Sequence, residues 1–362
     1  MTTRRSSTAA LQLDYLSACE IATEPPAWWR NVLGVVGFEK LPAFEGTRVP
    51  FAASMTPELG ANDALCEVWR VAGARVPLPE GVSRRGRVRY RCCQEFLFGS
   101  ITIDERLLDP AVGAQTGAAG VDAEPLQRAT EIAYREIFAV LRESAHRHLI
   151  RIWNYVPEIN REAGGDERYR LFNSARQSAF RKSGQSTVGS VPAASALGSP
   201  AGSPLSIYFL AARQPPKMIE NPRQTSAYRY PPKFGRHSPI FSRACLLQES
   251  AGTNLFVSGT ASIVGHETIH QGNVGAQTLE TVANIGALVE EVNRVLGAPR
   301  YSLAALKFKV YVRQPSDLGT IEVALSEALR PSTPIVYLQA DVCREDLLVE
   351  IEAAGAEHDN LA

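Results

Sequence analysis

The sequence lacks several features that would place a protein in a class at once. No apolar run approaches the roughly 18 residues that a helix needs to cross a bilayer. The N-terminal segment MTTRRSSTAALQLDYLSACE has two arginines but no hydrophobic stretch of the kind that secretion signals carry. None of the 6 cysteines stands at C-x-x-C spacing. Scattered cysteines in a chain of this length are typical of reduced thiols in a cytoplasmic protein. We therefore expect a cytoplasmic protein with no membrane partner.

The chain also lacks an excess of either charge. It contains 38 Lys and Arg residues and 38 Asp and Glu residues, so its formal net charge is zero. This balance argues against a nucleic-acid partner that is recognised through bulk positive charge. Residues 205–245, however, carry several arginines and lysines and few acids. This local asymmetry indicates a small anion site.

The alternation of strand and helix patterns predicts a layered α+β fold. Residues 1–110 contain short runs rich in β-branched and aromatic residues, separated by Gly and Pro, as in strands and loops. Apolar residues at helical spacing predict helices over 123–146, 165–184 and 278–296. From residue 240 onward, the order β-β-α-β-α-β-β predicts a mixed sheet with helices on one face.

The length of 362 residues suits two lobes of about 150 to 200 residues each. We predict an N-terminal α/β lobe at 1–150, a helix and pocket-loop connection at 151–204, and a C-terminal domain at 205–362. Within the connection, residues 188–204 are rich in Ser, Ala, Gly and Pro. Two interpretations of this segment stay open: a flexible linker, or an ordered loop whose small residues let backbone amides approach a ligand.

One short motif points to a metal site. The segment from His266 to His270 reads H-E-x-x-H, which in zinc proteases lies in a helix that presents both histidines on one face. Here the segment directly follows a predicted strand, and Gly265 and Gly272 flank it. We therefore interpret it as a loop and expect no metal and no cofactor. A zinc hydrolase that uses His266, Glu267 and His270 is kept as an alternative.

The order of motifs in the C-terminal part resembles the Rid (YjgF-type) fold. The matching runs are IFSRA at 240–244, FVSG at 256–259, GAQT at 275–278 with VANI at 282–285, and VEIE at 349–352. Over the whole chain, the sequence is more closely similar to the chorismatases. The runs that carry this resemblance are RIWNYVPEIN, GDERYRLFNSAR, PAASALGS, IYFLAA, ENPRQTSAYRYP, SGTASIVGH and DVCREDLLVEIE.

The resemblance to chorismatases covers residues 145–356 well and the first 140 loosely. It implies a Rid-like catalytic domain at 205–362, a related N-terminal α/β lobe, and chorismate as the small-molecule partner. The position that holds the carboxylate-binding arginine of ordinary Rid enzymes falls near Val336, which argues against imine deamination. A non-catalytic small-molecule sensor on the Rid fold is the alternative from another class. We expect a monomer, with a trimer as the alternative.

The resemblance assigns the chemistry to Glu350 and Cys343. Strand alternation puts Glu350 on one face of the last predicted strand with Glu352, and apolar neighbours raise the pKa of such a carboxyl, as a proton donor needs. The family's chemistry implies that Glu350 protonates the enolpyruvyl methylene. A cysteine at position 343 resembles members that make 3-hydroxybenzoate, and a mixed output of 3- and 4-hydroxybenzoate is kept as an alternative. Members without it resemble hydrolases, which release the dihydroxycyclohexadiene carboxylate and pyruvate.

A substrate with two carboxylates needs cationic groups, and arginine binds a carboxylate through two parallel N–H bonds. The candidates are Arg170, Arg176, Arg223 and Arg243. Arg243 stands in an otherwise apolar run, where an unpaired charge is costly. Further candidates are Tyr155 and Tyr228 as phenolic donors, and Gly259 and Ala261 as small residues that let the ring approach the backbone. Each has an ordinary alternative as a surface charge or as core packing.

Overall fold

The computed structural model describes residues 10–39, 49–60, 64–72, 78–79, 81–108, 124–249 and 252–357. The first nine residues, on which the expectation about a secretion signal partly rests, lie outside the described residues, as do parts of both predicted lobes. Within the described ranges, no helix combines the length and the apolar character needed to cross a membrane.

The helices of the described residues begin and end at recognisable signals. Helix α2 (Pro125–Glu143) has Pro at its first position and a capping box formed by Glu124 and Gln127. Helix α4 (Val274–Leu296) is followed by Gly297, which takes the left-handed conformation with a φ of 69°. The three predicted helices are confirmed. The helices are α1 (Ala18–Thr23), α2 (Pro125–Glu143), α3 (Arg168–Lys182), α4 (Val274–Leu296) and α5 (Leu318–Ala328).

The strands are rich in β-branched, aromatic and small residues, and most are largely buried. In chain order, they are β1 (Ala10–Ser17), β2 (Val32–Gly37), β3 (Phe51–Ala53), β4 (Leu65–Ala72), β5 (Ser83–Arg85), β6 (Val88–Cys92), β7 (Phe96–Ile103), β8 (His148–Pro157), β9 (Glu162–Ala163), β10 (Asp166–Glu167), β11 (Ala193–Ser199), β12 (Leu205–Ala212), β13 (Lys217–Ile219), β14 (Ala244–Glu249), β15 (Gly252–Thr260), β16 (Ile263–Val264), β17 (Glu267–Thr268), β18 (Lys307–Val312), β19 (Ile335–Gln339), β20 (Asp341–Val342) and β21 (Val349–Ala356).

Three sheets contain most of these strands, whereas β9 pairs with β10 and β16 pairs with β17 in two separate two-stranded sheets. The N-terminal sheet has the order β1-β4-β2-β3, the central sheet β20-β11-β8-β12-β7-β6-β5, and the C-terminal sheet β13-β14-β15-β21-β18-β19. The pairs β8–β11 and β18–β19 are parallel, whereas their neighbours in the two larger sheets are antiparallel. The predicted mixed sheet and the α+β class are therefore confirmed.

The sheets and helices stack in layers around shared cores. Helices α2 and α3 cover one face of the central sheet, and α4 and α5 cover one face of the C-terminal sheet. The opposite faces of both sheets share a core that contains Trp153, Tyr208, Phe256 and Tyr311, and Trp69 joins them from the N-terminal sheet. The helices therefore lie outside and the sheets face each other.

The connection between the two halves is ordered. Residues 193–199 form the buried strand β11, which excludes the flexible-linker interpretation of 188–204. Strand β12 pairs with β7 and β8 in the central sheet, although the predicted division at 204 assigned it to the C-terminal domain. By sheet membership, the chain thus leaves the central sheet after Ala212 and returns to it at β20, which pairs with β11.

A β-bulge in the C-terminal sheet lies next to the site described below. The pairing of β15 with β21 shifts register between Val257 and Thr260, so that Ser258 and Gly259 together oppose the single residue Glu352. Such a β-bulge bends the strand and changes the direction of nearby side chains, and bulges are frequent beside active sites.

Candidate active site

A cavity of about 540 Å³ lies where the central and C-terminal sheets meet. Its walls come from β11, the end of β15, the start of β21, helix α3, and the loops that precede β14 and β21. Of the residues predicted from the sequence, those that line it are Glu350, Cys343, Arg170, Arg176, Arg243, Gly259 and Ala261. This volume is within the usual range of small-molecule sites.

Glu350 is a buried acid in the wall of this cavity. Its side chain extends from β21, and the residue is 4 % exposed. Burial raises the pKa of its carboxyl, and the negative charge of Glu352 raises it further, to about 8, against the opposing effect of Arg151, Arg243 and Arg313. Glu350 is therefore neutral near pH 7 and can donate a proton.

The position of the Glu350 carboxyl depends on a glycine. A β-carbon at Gly259 would lie 1.9 Å from Oε1 and 2.7 Å from Cδ of Glu350, and 3.0 Å from Oγ of Ser195. Because no side chain is present there, the carboxyl rests directly against the bulged backbone of β15. Gly259 is thus required by a close approach.

Glu352 lies on the same face of β21 but has the opposite character. Its carboxylate accepts hydrogen bonds from Arg151 Nη2 at 2.7 Å, Lys309 Nζ at 2.9 Å, Ser195 Oγ at 2.7 Å and Trp153 Nε1 at 2.6 Å. Burial alone would raise its pKa, but the charges of Lys309 and Arg151 and these hydrogen bonds hold the pKa below its usual value. Glu352 is therefore ionised.

The ion pairs of Glu352 extend into the N-terminal sheet. Lys309 also forms a salt bridge with Glu67 of β4 and donates to the Tyr208 hydroxyl at 3.0 Å. Glu67 in turn accepts a hydrogen bond from Trp69 Nε1 at 2.5 Å. Strands from all three sheets thus meet in one buried charge network, which sequence reasoning did not find because Glu67 and Lys309 are 242 positions apart in the chain.

Arg243 is one of the cavity's cations. It is 3 % exposed and immediately precedes β14. Its Nη2 donates to the Thr225 carbonyl and to the Tyr230 hydroxyl, both at 2.7 Å. Its Nε is buried and has no acceptor among the described residues. An anionic ligand would supply the missing acceptor.

Arg176 has more unused donors. Its Nη1 donates to the Ile240 carbonyl at 2.7 Å, whereas Nε and Nη2 are buried without an acceptor in the part of the chain that the structure describes. The guanidinium stacks over the rings of Tyr134 and Phe180 at 5.2 and 5.1 Å. The stacking fixes the guanidinium plane beside the cavity, which suits it to bind a carboxylate.

Arg344 is a third cavity cation, and the sequence analysis missed it. Its guanidinium lies 3.9 Å over the Phe234 ring, and Nη1 donates to the His266 carbonyl at 3.0 Å and to Thr268 Oγ1 at 3.2 Å. Its Nη2 is buried without an acceptor among the described residues. In the sequence, Arg344 stands in the polar run DVCRED, where nothing marks it as more than a surface charge.

Cys343 adjoins Arg344 on the cavity wall. It packs against a small apolar cluster that includes Ala261, Ile263, Val342 and Leu347. Burial raises the pKa of its thiol to about 12, and the Glu350 charge contributes to this increase. The side chain is therefore a neutral thiol and not a thiolate nucleophile.

Three predicted binding residues lie outside the cavity. Arg223 forms an ion pair with Glu280 at 2.5 Å and donates to Asn284 Oδ1 at 2.8 Å. The buried Tyr155 hydroxyl bonds to the hydroxyl of Tyr311 at 3.0 Å, in the core between the sheets. Tyr228 packs against the core beneath α2 and α3. None of the three is brought to Glu350.

The cavity rim is formed partly by Arg170. Its side chain is 42 % exposed and faces Asp166 at 3.4 Å and Glu167 at 3.6 Å. Because solvent screens such exposed pairs, Arg170 remains available at the cavity mouth.

The H-E-x-x-H segment is not helical. Its first half lies in the hairpin β16–β17, and His270 takes a positive φ of 57°. Glu267 forms a salt bridge with Lys233, and His270 lies 3.6 Å from Glu280. The interpretation of the segment as a non-helical loop is confirmed. Among the described residues, no group of three or more His, Cys, Asp or Glu side chains is arranged to hold a metal ion.

Comparison with known proteins agrees with this architecture. The family model for the N-terminal part of FkbO/Hyg5-like chorismatases matches residues 67–211. A 3-hydroxybenzoate synthase from Streptomyces hygroscopicus is 35 % identical over 342 residues, which cover 90 % of this chain and 92 % of the relative. A chorismatase from Streptomyces rapamycinicus is 34 % identical over 302 residues, which cover 82 % of this chain and 83 % of the relative.

A solved structure shows the same overall fold. The crystal structure of a chorismatase aligns with a TM-score of 0.80 at 29 % identity, covering 97 % of this chain and 99 % of that chain. The chain therefore belongs to the chorismatase family, as the order of motifs in its sequence predicted.

Proposed function

We propose that this protein converts chorismate to 3-hydroxybenzoate and pyruvate. The observation that carries the proposal is the buried Glu350, whose pKa is raised to about 8 at the wall of a cavity lined by arginines. Membership of the chorismatase family supports chorismate as the substrate. The similarity to a relative named 3-hydroxybenzoate synthase supports the aromatic product.

The cavity's cations match the charge of such a substrate. Chorismate carries one carboxylate on its ring and one on the enolpyruvyl ether. Arg176, Arg243 and Arg344 each have buried N–H groups without an acceptor among the described residues. Two carboxylates bound there would satisfy these donors in a site of low dielectric, where each charge-assisted hydrogen bond is strong. Arg170 at the rim would attract the dianion on entry.

Glu350 supplies the proton that starts the reaction. Transfer of its proton to the terminal methylene turns the enol ether into an oxocarbenium ion. The neighbouring ring hydroxyl then displaces the ether oxygen, whose bonding electrons remain on the departing pyruvate, and an arene oxide forms. The hydroxyl proton returns to the Glu350 carboxylate. Opening of the arene oxide with loss of a ring proton gives 3-hydroxybenzoate, and opening toward the other carbon gives 4-hydroxybenzoate, so that no water is consumed.

Cys343 influences which nucleophile reacts. Its neutral thiol is a weak hydrogen-bond donor, and it adjoins an apolar cluster that includes Ala261 and Val342. A wall of this kind holds a water molecule poorly beside the protonated ether. The internal ring hydroxyl is then the favoured nucleophile.

Hydrolysis is the alternative outcome of the same protonation. Water would attack in place of the ring hydroxyl, and the products would be the dihydroxycyclohexadiene carboxylate and pyruvate. The relatives named chorismatase keep this alternative open. Chromatography of the products distinguishes the two, because only the internal reaction gives an aromatic acid.

Pyruvate release tests the proposal. The protein is incubated with chorismate, and pyruvate is followed with a coupled dehydrogenase. The Glu350→Gln variant is expected to bind chorismate without turnover. The matched control is Glu249→Gln, because the Glu249 carboxyl also has a pKa raised by burial, to about 7, but lies outside the cavity lining. Stabilisation of the wild type by chorismate without pyruvate release would contradict the proposal and indicate a sensor.

A further inference from the structure

We propose that Glu352 is a positioning residue for the proton donor: by occupying Arg151, it prevents that cation from ionising Glu350. The effect of Glu352 on turnover rests on the proposed function, in which Glu350 is the proton donor. The charge arrangement itself is a property of the substrate-free protein and can be measured there.

The Ser195 hydroxyl bonds to both Arg151 and Glu352 and lies close to the Glu350 carboxyl. Ser195 Oγ accepts from Arg151 Nη2 at 2.6 Å, donates to Glu352 at 2.7 Å, and accepts from the Gly259 amide at 3.0 Å. The space above Gly259 that Ser195 borders is also the space that Glu350 Oε1 occupies. Arg151 therefore lies near both carboxyls but is bonded to one of them.

The network around Glu352 is balanced in charge. It contains two cations and two anions, all at most 5 % exposed: Arg151, Lys309, Glu67 and Glu352. Lys309 forms salt bridges with both Glu67 and Glu352, whereas Arg151 forms one with Glu352. No positive charge is left over in this network. An ionised Glu350 would be a fifth charge beside this buried network, with no cation of the network left to balance it, which is costly.

Two further arginines, Arg243 and Arg313, also act to lower the pKa of Glu350. Arg243 donates to Thr225 and Tyr230, and Arg313 forms an ion pair with Asp341 at 2.8 Å and donates to three backbone carbonyls. Arg176 and Arg344 line the same cavity as Glu350, and the neutral side chains of Cys343 and Tyr169 also lie near it.

Glu352 itself faces Lys309 and Arg151 as cations. The phenols of Tyr15, Tyr155, Tyr208 and Tyr311 also lie near it, and burial raises their pKa values, so that they remain neutral. Arg151 is thus the cation near Glu350 whose availability Glu352 controls.

Three variants test this relationship. Glu352→Gln removes the negative charge beside Glu350 and frees Arg151, and both changes should make Glu350 ionise at a lower pH, by roughly one to three units. Arg151→Met removes a cation from Glu352, so its negative charge is less balanced, and the midpoint of the Glu350 titration should move to higher pH. The double variant Glu352→Gln/Arg151→Met removes the ion pair as a unit, and its titration should lie between those of the two single variants.

The titration is read by infrared difference spectroscopy on substrate-free protein, through the C=O band of the protonated carboxyl. The Glu350→Gln substitution in each background identifies the band. A purely structural role for Glu352 would lower the melting temperature without moving this band's midpoint. An unchanged midpoint in Glu352→Gln, or a shift of both single variants in the same direction, would overturn the inference.

The proposed function and this inference can fail separately. If the wild type releases no pyruvate, the function fails while the infrared titration still decides the inference. If the midpoint stays fixed while pyruvate release persists, the inference fails and the function stands. If one single variant does not fold, the direction in which the other shifts the Glu350 midpoint decides the test. The charge-neutral double variant is the one expected to fold best, and a midpoint at or beyond that of Glu352→Gln contradicts the inference.

Discussion

Glu350 and Glu352 extend from the same face of one strand, yet the protein raises the pKa of the first and lowers that of the second. Both are buried, so burial alone does not separate them. The difference comes from their partners, because Glu352 holds Arg151 and Lys309 directly. Two neighbouring carboxyls with pKa values moved apart are typical of sites that perform acid–base chemistry at neutral pH.

Gly259→Ala should greatly reduce activity while the protein stays folded. The new β-carbon would lie 1.9 Å from Glu350 Oε1, so the carboxyl must move. A misplacement of about 1 Å at a reacting group costs on the order of 100-fold in rate. The change is measured as kcat for pyruvate release, with circular dichroism as the check on folding.

Gly286→Ala is the control for this substitution. Gly286 lies in α4, and an added β-carbon there meets no atom within 4 Å. Activity should be unchanged, and the free energy of unfolding should rise by about 0.5–1 kcal/mol because alanine favours a helix. Equal activity in Gly259→Ala and wild type would contradict the placement of the acid.

Arg176→Met should weaken substrate binding more than it slows chemistry. Its buried Nε and Nη2 have no acceptor among the described residues, and a carboxylate of the substrate would be their partner. Loss of one charge-assisted contact corresponds to a roughly 10- to 100-fold increase in KM. Arg294→Met, at the exposed end of α4, is the control and should leave KM unchanged. An unaltered KM in Arg176→Met would remove it from the binding site.

Cys343→Ala should change the product and not only the rate. The smaller side chain leaves room for water at the cavity wall beside Glu350, so a larger share of the dihydroxycyclohexadiene carboxylate should form. The product ratio is measured by chromatography. Cys92→Ala serves as the control, because Cys92 is half-buried and lies outside the cavity lining. A ratio identical to that of the wild type would refute this role for Cys343.

Glu350→Gln should stabilise the protein at alkaline pH. The pKa of Glu350 is raised in the folded state from 4.5 to about 8. Its contribution to stability is therefore complete below pH 4.5 and is lost as the pH rises toward 8. Glutamine does not titrate, so the melting temperature of the variant should exceed that of wild type more at about pH 8 than at about pH 5. A difference in melting temperature between the variant and the wild type that is the same at both pH values would show that Glu350 is ionised throughout this range.

Local sequence patterns were sufficient to predict the main helices and the strand that carries Glu350. Helical spacing predicted α2, α3 and α4, and the VEIE run predicted β21 with both glutamates on one face. The motif order also led to the correct family. These features depend on residues close together in the chain, where periodicity and turn signals carry the information.

Long-range pairing explains what the sequence did not reveal. Arg151, Lys309 and Glu67 meet Glu352 only because strands of three sheets converge. Arg223 stands in a basic loop, as a binding residue would, but α4 offers it Glu280 and Asn284 as partners. Arg344 reaches the cavity because Phe234 of another loop supports its guanidinium. No local pattern distinguishes these arginines from one another.

The pH dependence of kcat/KM for pyruvate release tests most directly whether the neutral Glu350 is the proton donor. The free enzyme must carry the proton, so kcat/KM should be high below the pKa of Glu350 and fall tenfold per pH unit above a midpoint near 8. A kcat/KM that stays level or rises through about pH 10 would contradict the account, because a carboxyl with this pKa would then be fully ionised.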